Sequence, residues 1–495
     1  MRLSLSLCTA LAAAVLTPVA QPAVVPNTLF SDHAVLQQGC DLPVWGTAKD
    51  GERVTVELAA QKAATVAKDG RWLVRLKALP AGGPYTMTIA GEGSVIKISD
   101  LLVGEVWVCS GQSNMERQLG LREGQKPIVN WEQEVAAANY PQIRQFYVPQ
   151  KSALSPAASV DGKWVVCSPQ TVADFTAVGY FFGRDLFQAR HAPVGLIHSS
   201  WGGTPAEAWT SQEALRTLPD FAGPVAQIER IASDIKAGTY NYGRLVDDWF
   251  TANDADVPRP PSDYRTSPAT PGVLYNGMIA PLLPYSIRGV IWYQGEANVG
   301  REKQYRTLFP TMIADWRRSW GEGDFPFLFV QIAPFKGMTP EIREAQLLSW
   351  QHTPNTAMAV TIDCGDADDI HPARKQPMGA RLALAARALA YGEALEYSGP
   401  VFTSMQSVGR RAILSFTHLG GGLVAKDGPL TGFTIAGTDK VFHPARAVIE
   451  GETVAVLADE VSQPVAVRYG WANVPEGDLF NAAGLPASPF RTDVD

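Results

Sequence analysis

Cysteine is scarce in this chain, with five residues in 495. Cys8 lies close to the start, and Cys40, Cys109, Cys167 and Cys364 are spread too widely for a disulfide framework. None stands at the CxxC spacing of a zinc site, so buried free thiols are expected, with one disulfide left open. Histidine is also rare, at seven. HExxH is absent and no His, Asp or Cys group has metal-ligand spacing, which argues against a metal centre. A surplus of positive charge is missing too: 42 Lys and Arg face 49 Asp and Glu, a formal net charge of -7. That balance gives no grounds to expect nucleic acid or an anionic membrane as partner. Beyond the first residues no apolar run reaches bilayer-spanning length, so no membrane span is expected. Neither an internal repeat nor a low-complexity tract stands out. The rest of the composition, 46% hydrophobic and 18% charged, is that of a globular protein. At 495 residues it exceeds one core, so two to four domains are expected.

The chain begins MRLSLSLCTALAAAVLTPVAQPA. One Arg, an apolar run to Val19 and small residues from Ala20 to Ala23 have the layout of a secretory signal peptide over residues 1–23. Residues 24–99 have a β texture (LPVWGTA, RVTVELA, WLVRLKAL, YTMTIAG) with Gly, Asp and Pro between the runs. A small β-sandwich of Ig-like type is expected there. From Leu101 the texture changes. Val103 to Cys109, VGLIHSS, IRGVIWYQGE, FPFLFVQIA and AMAVTID are compact apolar runs suited to strands buried on both faces. Helical stretches lie between or after them, around Phe181 to Arg190, Tyr305 to Ser319, Glu341 to His352 and Met378 to Tyr391. Alternation of this kind predicts an α/β domain over residues 100–395, with helices on both faces of the sheet. The Pro-, Asp- and Tyr-rich stretch from Gly238 to Gly272 reads as a long irregular loop near the site. After residue 396 the texture returns to β, so a β-rich region closes the chain over 396–495.

Four segments at predicted strand ends carry chemistry. In GEVWVCSGQSNMERQL a buried strand ends at Cys109, Ser110 to Gln112 turn the chain, and Ser113 stands where a helix should begin. A serine there exposes its hydroxyl at the C-terminal edge of the sheet, with its own N–H and the helix start available to a developing oxyanion. The GxSxG elbow is absent, because position 115 is Met. SSWGGTPAEAW brings paired glycines whose N–H groups can approach a ligand closely. WYQGEAN offers the Gln294 amide, and DADDIHPARKQ supplies His371 with acidic neighbours. Ligands of open α/β sheets bind at this edge, and together these residues make an acyl-transfer set.

In this order, GQSNM, WGGT, WYQGEAN and DDIHP resemble the four sequence blocks of SGNH hydrolases. More narrowly they resemble the sialate O-acetylesterase family and its relatives, the polysaccharide acetylesterases. The likeness covers roughly Leu101 to Ala394 and includes YNGMIAPLLP from Tyr275. It implies a flavodoxin-like three-layer α/β domain with Ser113 as nucleophile and His371 as base. It implies an oxyanion hole made by the N–H of Ser113, by Gly202 or Gly203, and by Gln294, where SGNH enzymes generally carry Asn. Glu296 is left a supporting role, orienting backbone or Gln294 or making a structural hydrogen bond. The DxxH spacing of the superfamily makes Asp368 the carboxylate partner of His371, with Asp369 and Asp366 as alternatives.

The activity so implied is removal of acetyl groups from carbohydrate through an acetyl-enzyme, with no cofactor or metal. Sialic acid, xylan and xyloglucan esters all remain open as substrates. The rivals are a lipase or thioesterase on the same scaffold and a carbohydrate-binding protein with a dead hydrolase core. Trp201, Trp209 and Trp292, within or beside the blocks, favour sugar over a long acyl chain. Retention of Ser, Gln and His in their blocks speaks against a dead core. The expected location is secreted, periplasmic or extracellular.

Overall fold

The computed structural model describes residues 24–252 and 263–493. The signal-peptide reading of residues 1–23 falls outside them. The centre is a sheet whose main path runs Trp164–Cys167, Tyr140–Tyr147, Val194–Ser200, Ser94–Gly111, Gly289–Tyr293, Phe327–Val330, Thr356–Ala359. The first pair is antiparallel and every other neighbour is parallel. Without the first two strands of this path, Trp164–Cys167 and Tyr140–Tyr147, the order counted along the chain is 2-1-3-4-5, a doubly wound arrangement.

Alternation along each strand explains the layers. Val106, Val108, Val290, Trp292, Phe327 and Phe329 face one core, together with Leu308, Phe309, Met312 and Trp316 of the helix Glu302–Trp320. Their neighbours Trp107, Cys109, Ile291, Tyr293, Leu328 and Val330 face the other, against the helices Ala177–Arg190 and Gln376–Tyr391. Strands apolar on both faces need helices on both sides, as the sequence pattern predicted. The helices Ala177–Arg190, Glu302–Trp320, Pro340–His352 and Gln376–Tyr391 fall where they were expected, each within a few residues.

Ser94–Gly111 is one continuous strand of 18 residues. Its first part pairs antiparallel with Gly82–Gly91 among the N-terminal β-strands, and its last part pairs with Val194–Ser200 and Gly289–Tyr293. It therefore runs straight through the texture change at residue 100. Residues beyond 400 form two four-stranded sheets and one two-stranded sheet. They meet the α/β layers through Arg491 Nε to Glu344 Oε1 (2.7 Å) and Gln331 Nε2 to Ser488 Oγ (2.8 Å). The stretch read as irregular from Gly238 holds an α-helix, Tyr242–Ala252, while residues 253–262 lie outside the described residues. Leu245, Val246, Trp249 and Phe250 recur at helical spacing there, a signal that the Pro-rich residues after it obscured. Cys40, Cys109, Cys167 and Cys364 are all free thiols.

Candidate active site

Four strands deliver the candidate residues to one edge of the sheet. Gly111 ends the central strand at φ 136, and a Cβ there would lie 2.1 Å from the carbonyl oxygen of Tyr293. Only glycine allows that approach, which lets Gln112 N–H donate to the same carbonyl at 2.9 Å. Ser113, half-buried, then opens a helix of four residues, Ser113–Glu116, which ends where Arg117 turns to φ -53, ψ 113. The helix expected after the turn is thus a single turn, too short for a sizeable dipole. The Ser113 N–H nevertheless has no intrahelical acceptor, as for any first helical residue.

His371 sits on the loop after Thr356–Ala359, half-buried. Asn114 Nδ2 donates to the carbonyl of Ile370 at 3.0 Å, tying this loop to the Ser113 turn. Asp366 Oδ1 accepts the N–H of Asp368 (3.0 Å), and Asp369 Oδ1 accepts the N–H of His371 (2.8 Å). These side-chain turns aim the three carboxylates in different directions. Asp366 binds Lys126, and Asp368 points outward to Lys336 Nζ at 2.5 Å with its side chain 73% exposed. Asp369 Oδ1 is the carboxylate oxygen beside the imidazole, 3.7 Å from Nδ1, which is contact without a hydrogen bond. The assignment of Asp368 as partner of His371 is therefore corrected to Asp369. Burial and then the Lys375 charge push the His371 pKa below its ordinary value, with Asp369 opposing them. That shift favours the neutral imidazole, the form a base requires.

The oxyanion candidates separate in the same way. A Cβ on Gly202 would lie 3.2 Å from Ser113 Cβ, so this glycine abuts Ser113. Its N–H donates to Glu116 Oε2 at 2.5 Å, while Glu116 Oε1 accepts from Arg122 Nη2 at 2.8 Å. Gly203 is exposed with open space about it. Gln294 is completely buried, and its amide is already engaged: Nε2 donates to Asn298 Oδ1 (2.6 Å) and the Thr204 carbonyl (3.3 Å), and Oε1 accepts from Tyr305 OH (3.1 Å). Both N–H bonds of its amide are thus spent on Asn298 and the Thr204 carbonyl of the WGGT loop, and neither is left for an oxyanion.

Glu296 makes the structural bond rather than orienting Gln294: its Oε1 accepts from Asn114 Nδ2 at 2.7 Å. Burial raises its pKa, and its Oε2 has no hydrogen-bond partner. Asn114 Oδ1 in turn accepts from Lys375 Nζ, which is fully buried. Asn114, Glu116 and Lys375 were missed from sequence. A lysine four residues after a histidine on a polar loop reads as a solvated charge, and nothing in the spacing marks it as buried. Trp209 and Trp292 are fully buried, stacked edge to face with centroids 5.9 Å apart, which leaves Trp201 alone half-exposed near the site. No group of His, Cys, Asp or Glu able to hold a metal ion, and no helix long and apolar enough to cross a membrane, occurs among the described residues.

A serine at a strand-to-turn junction, a histidine on the facing loop and a glycine beside the serine, all at one edge of a doubly wound α/β sheet, fit an ester hydrolase. The family model described as "Carbohydrate esterase, sialic acid-specific acetylesterase" matches residues 103–235 and 269–388. The chain belongs to this family. It is similar to the sialate O-acetylesterases of Rattus norvegicus (32% identity, 91% of each chain covered) and Mus musculus (33%, again 91% of each). Among solved structures it is similar to a carbohydrate acetylesterase from Xanthomonas citri, with TM-score 0.83 and 38% identity over 96% of this chain and 100% of that one.

Proposed function

We propose that the protein is a serine esterase that hydrolyses O-acetyl groups on carbohydrate through an acetyl-enzyme. The observation that carries this is the Asn114 bridge to Ile370, which holds the Ser113 turn against the His371 loop. His371 takes the Ser113 proton, Ser113 attacks the acetyl carbonyl, and Asp369 stabilises the imidazolium that forms. The Ser113 N–H receives the oxyanion, joined by the Gly202 N–H once Glu116 turns wholly to Arg122. The sugar hydroxyl leaves with the proton from His371, and water then attacks the acetyl-enzyme with His371 again as base.

A cavity of 570 Å³ opens beside Glu116 and Arg122, lined also by Gln118, Gln145, Tyr147 and Gln170. Its amides, charges and one exposed phenol suit the hydroxyls of a glycan, and Val165 and Phe175 supply an apolar wall beside them. A larger cavity of 690 Å³ lies among Trp45, Trp72 and Leu283, away from these residues, and is given no part in the reaction. O-acetylated sialic acid is the preferred substrate on the strength of the family, with acetylated xylan or xyloglucan as the second reading. We assign residues 24–99 to a β-sandwich, 100–395 to a flavodoxin-like catalytic domain and 396–495 to a β-rich domain. A signal peptide over residues 1–23 directs the enzyme to the periplasm or the exterior. The test is acetate release by purified protein from O-acetylated sialic acid, acetylxylan and acetyl or octanoyl nitrophenyl esters. Wild type is expected to favour acetyl esters and folded Ser113→Ala to lose nearly all activity. Substantial kcat in Ser113→Ala sinks the reading.

A further inference from the structure

Lys375 is completely buried at the start of the helix Gln376–Tyr391, and the reaction described above does not use it. Its Nζ donates to Asn114 Oδ1 and lies 5.1 Å from the centroid of the Tyr293 ring. An ammonium can only donate, so it dictates which end of the Asn114 amide faces it. The other end, Nδ2, must then face Glu296 Oε1 (2.7 Å) and the Ile370 carbonyl (3.0 Å). Asn114 immediately follows Ser113, and Ile370 immediately precedes His371. We propose that Lys375 is a positioning residue for the ester hydrolysis: by fixing the Asn114 amide it holds Ser113 and His371 at one separation. This rests on Ser113 and His371 acting as nucleophile and base.

The same ammonium acts on His371 through its charge. Lys375 is faced by Glu296 and Tyr293 from the Gly289–Tyr293 strand end, Arg117 from the nucleophile turn, and Asp369 and Cys364 from the His371 loop. Burial first, with Arg117 adding to it, brings the Lys375 pKa down to about 7, so in acid the group is cationic. His371 is faced by Lys375, Arg122 and Arg117, which oppose its protonation, and by Asp369, which favours it. Removing the lysine charge makes His371 easier to protonate.

Lys375→Met tests this in the full-length protein with a soluble acetyl ester. Misplacing reacting groups by about 1 Å costs about a hundredfold in rate, and a fall of that order in kcat is expected, with KM little changed. The acid limb of kcat/KM is expected to move to higher pH, a shift that a merely structural lysine would not produce. Should the single variant fail to fold, Lys375→Met with Glu296→Gln removes both buried groups and carries the same expected fall in kcat, the acid-limb shift being read from Lys375→Met alone. Wild-type kcat in either folded variant, or an unmoved acid limb, overturns the proposal. Ser113→Ala is run in parallel. If it is inactive while Lys375→Met is unimpaired, this inference alone falls; if it stays active, the reading beneath it falls as well.

Discussion

Replacing Asp369 by Asn removes one negative charge 3.7 Å from His371 Nδ1 while keeping an oxygen that can accept the His371 N–H. Two unit charges at that separation attract by about 1 kcal/mol in water and about 4.5 kcal/mol at an effective dielectric of about 20. At 1.36 kcal/mol per tenfold, these limits correspond to losses in kcat of about sixfold and about two-thousandfold. The His371 and Asp369 side chains are 22% and 19% exposed, so the site lies between the limits, and a loss of about a hundredfold is expected. The full loss of about 10⁴ known for a hydrogen-bonded triad aspartate is not expected, because 3.7 Å is too long for that bond. Asp369 raises the His371 pKa, so its removal lowers that pKa and moves the acid limb of kcat/KM to lower pH. Lys375→Met moves the same limb the opposite way. Asp368→Asn, whose carboxylate faces solvent and Lys336, should stay close to wild type. The assay is kcat and kcat/KM on an acetyl ester across the acid limb for both variants. A crippled Asp368→Asn beside a healthy Asp369→Asn would refute the argument.

Glu116→Ala frees the Gly202 N–H and removes a negative charge from beside the developing oxyanion, so kcat should rise several-fold, an effect of about 1 kcal/mol. A fall in kcat would mean that Glu116 serves the reaction instead of competing with it. Gln294→Ala should lower thermal stability along with activity, since each buried partner left unpaired costs about 1–3 kcal/mol. A loss of about 10²–10³ in kcat at unchanged melting temperature would restore Gln294 to the oxyanion hole.

Much of the framework was legible because it depends on periodicity and order. Apolar runs such as Val103 to Cys109 and the Val290 to Tyr293 stretch demand cover on both faces, and the helices between them supply it. In a parallel sheet the segments after such strands must collect at one edge, so the turns bearing Ser113, Gly202, Gln294 and His371 came together as read. The helix Tyr242–Ala252 was lost because composition was weighed over spacing. What sequence by itself determined was thus the sheet, its loaded edge and the residues delivered there, because strand period and chain order are properties of the chain.

Tertiary structure alone decided direction and burial. Asp368 and Asp369 are adjacent and chemically identical, and only the hydrogen bonds of the loop and the placement of Lys336 send one outward and the other to His371. Gln294 reads as a donor until Asn298, Thr204 and Tyr305 are seen to engage both ends of its amide. Trp209 and Trp292 look like sugar platforms until the helix Glu302–Trp320 covers them. Lys375 has the sequence context of a surface charge, yet lies sealed beneath Asn114 and Tyr293. Burial is set by what folds over a residue from distant parts of the chain, and no local pattern records it.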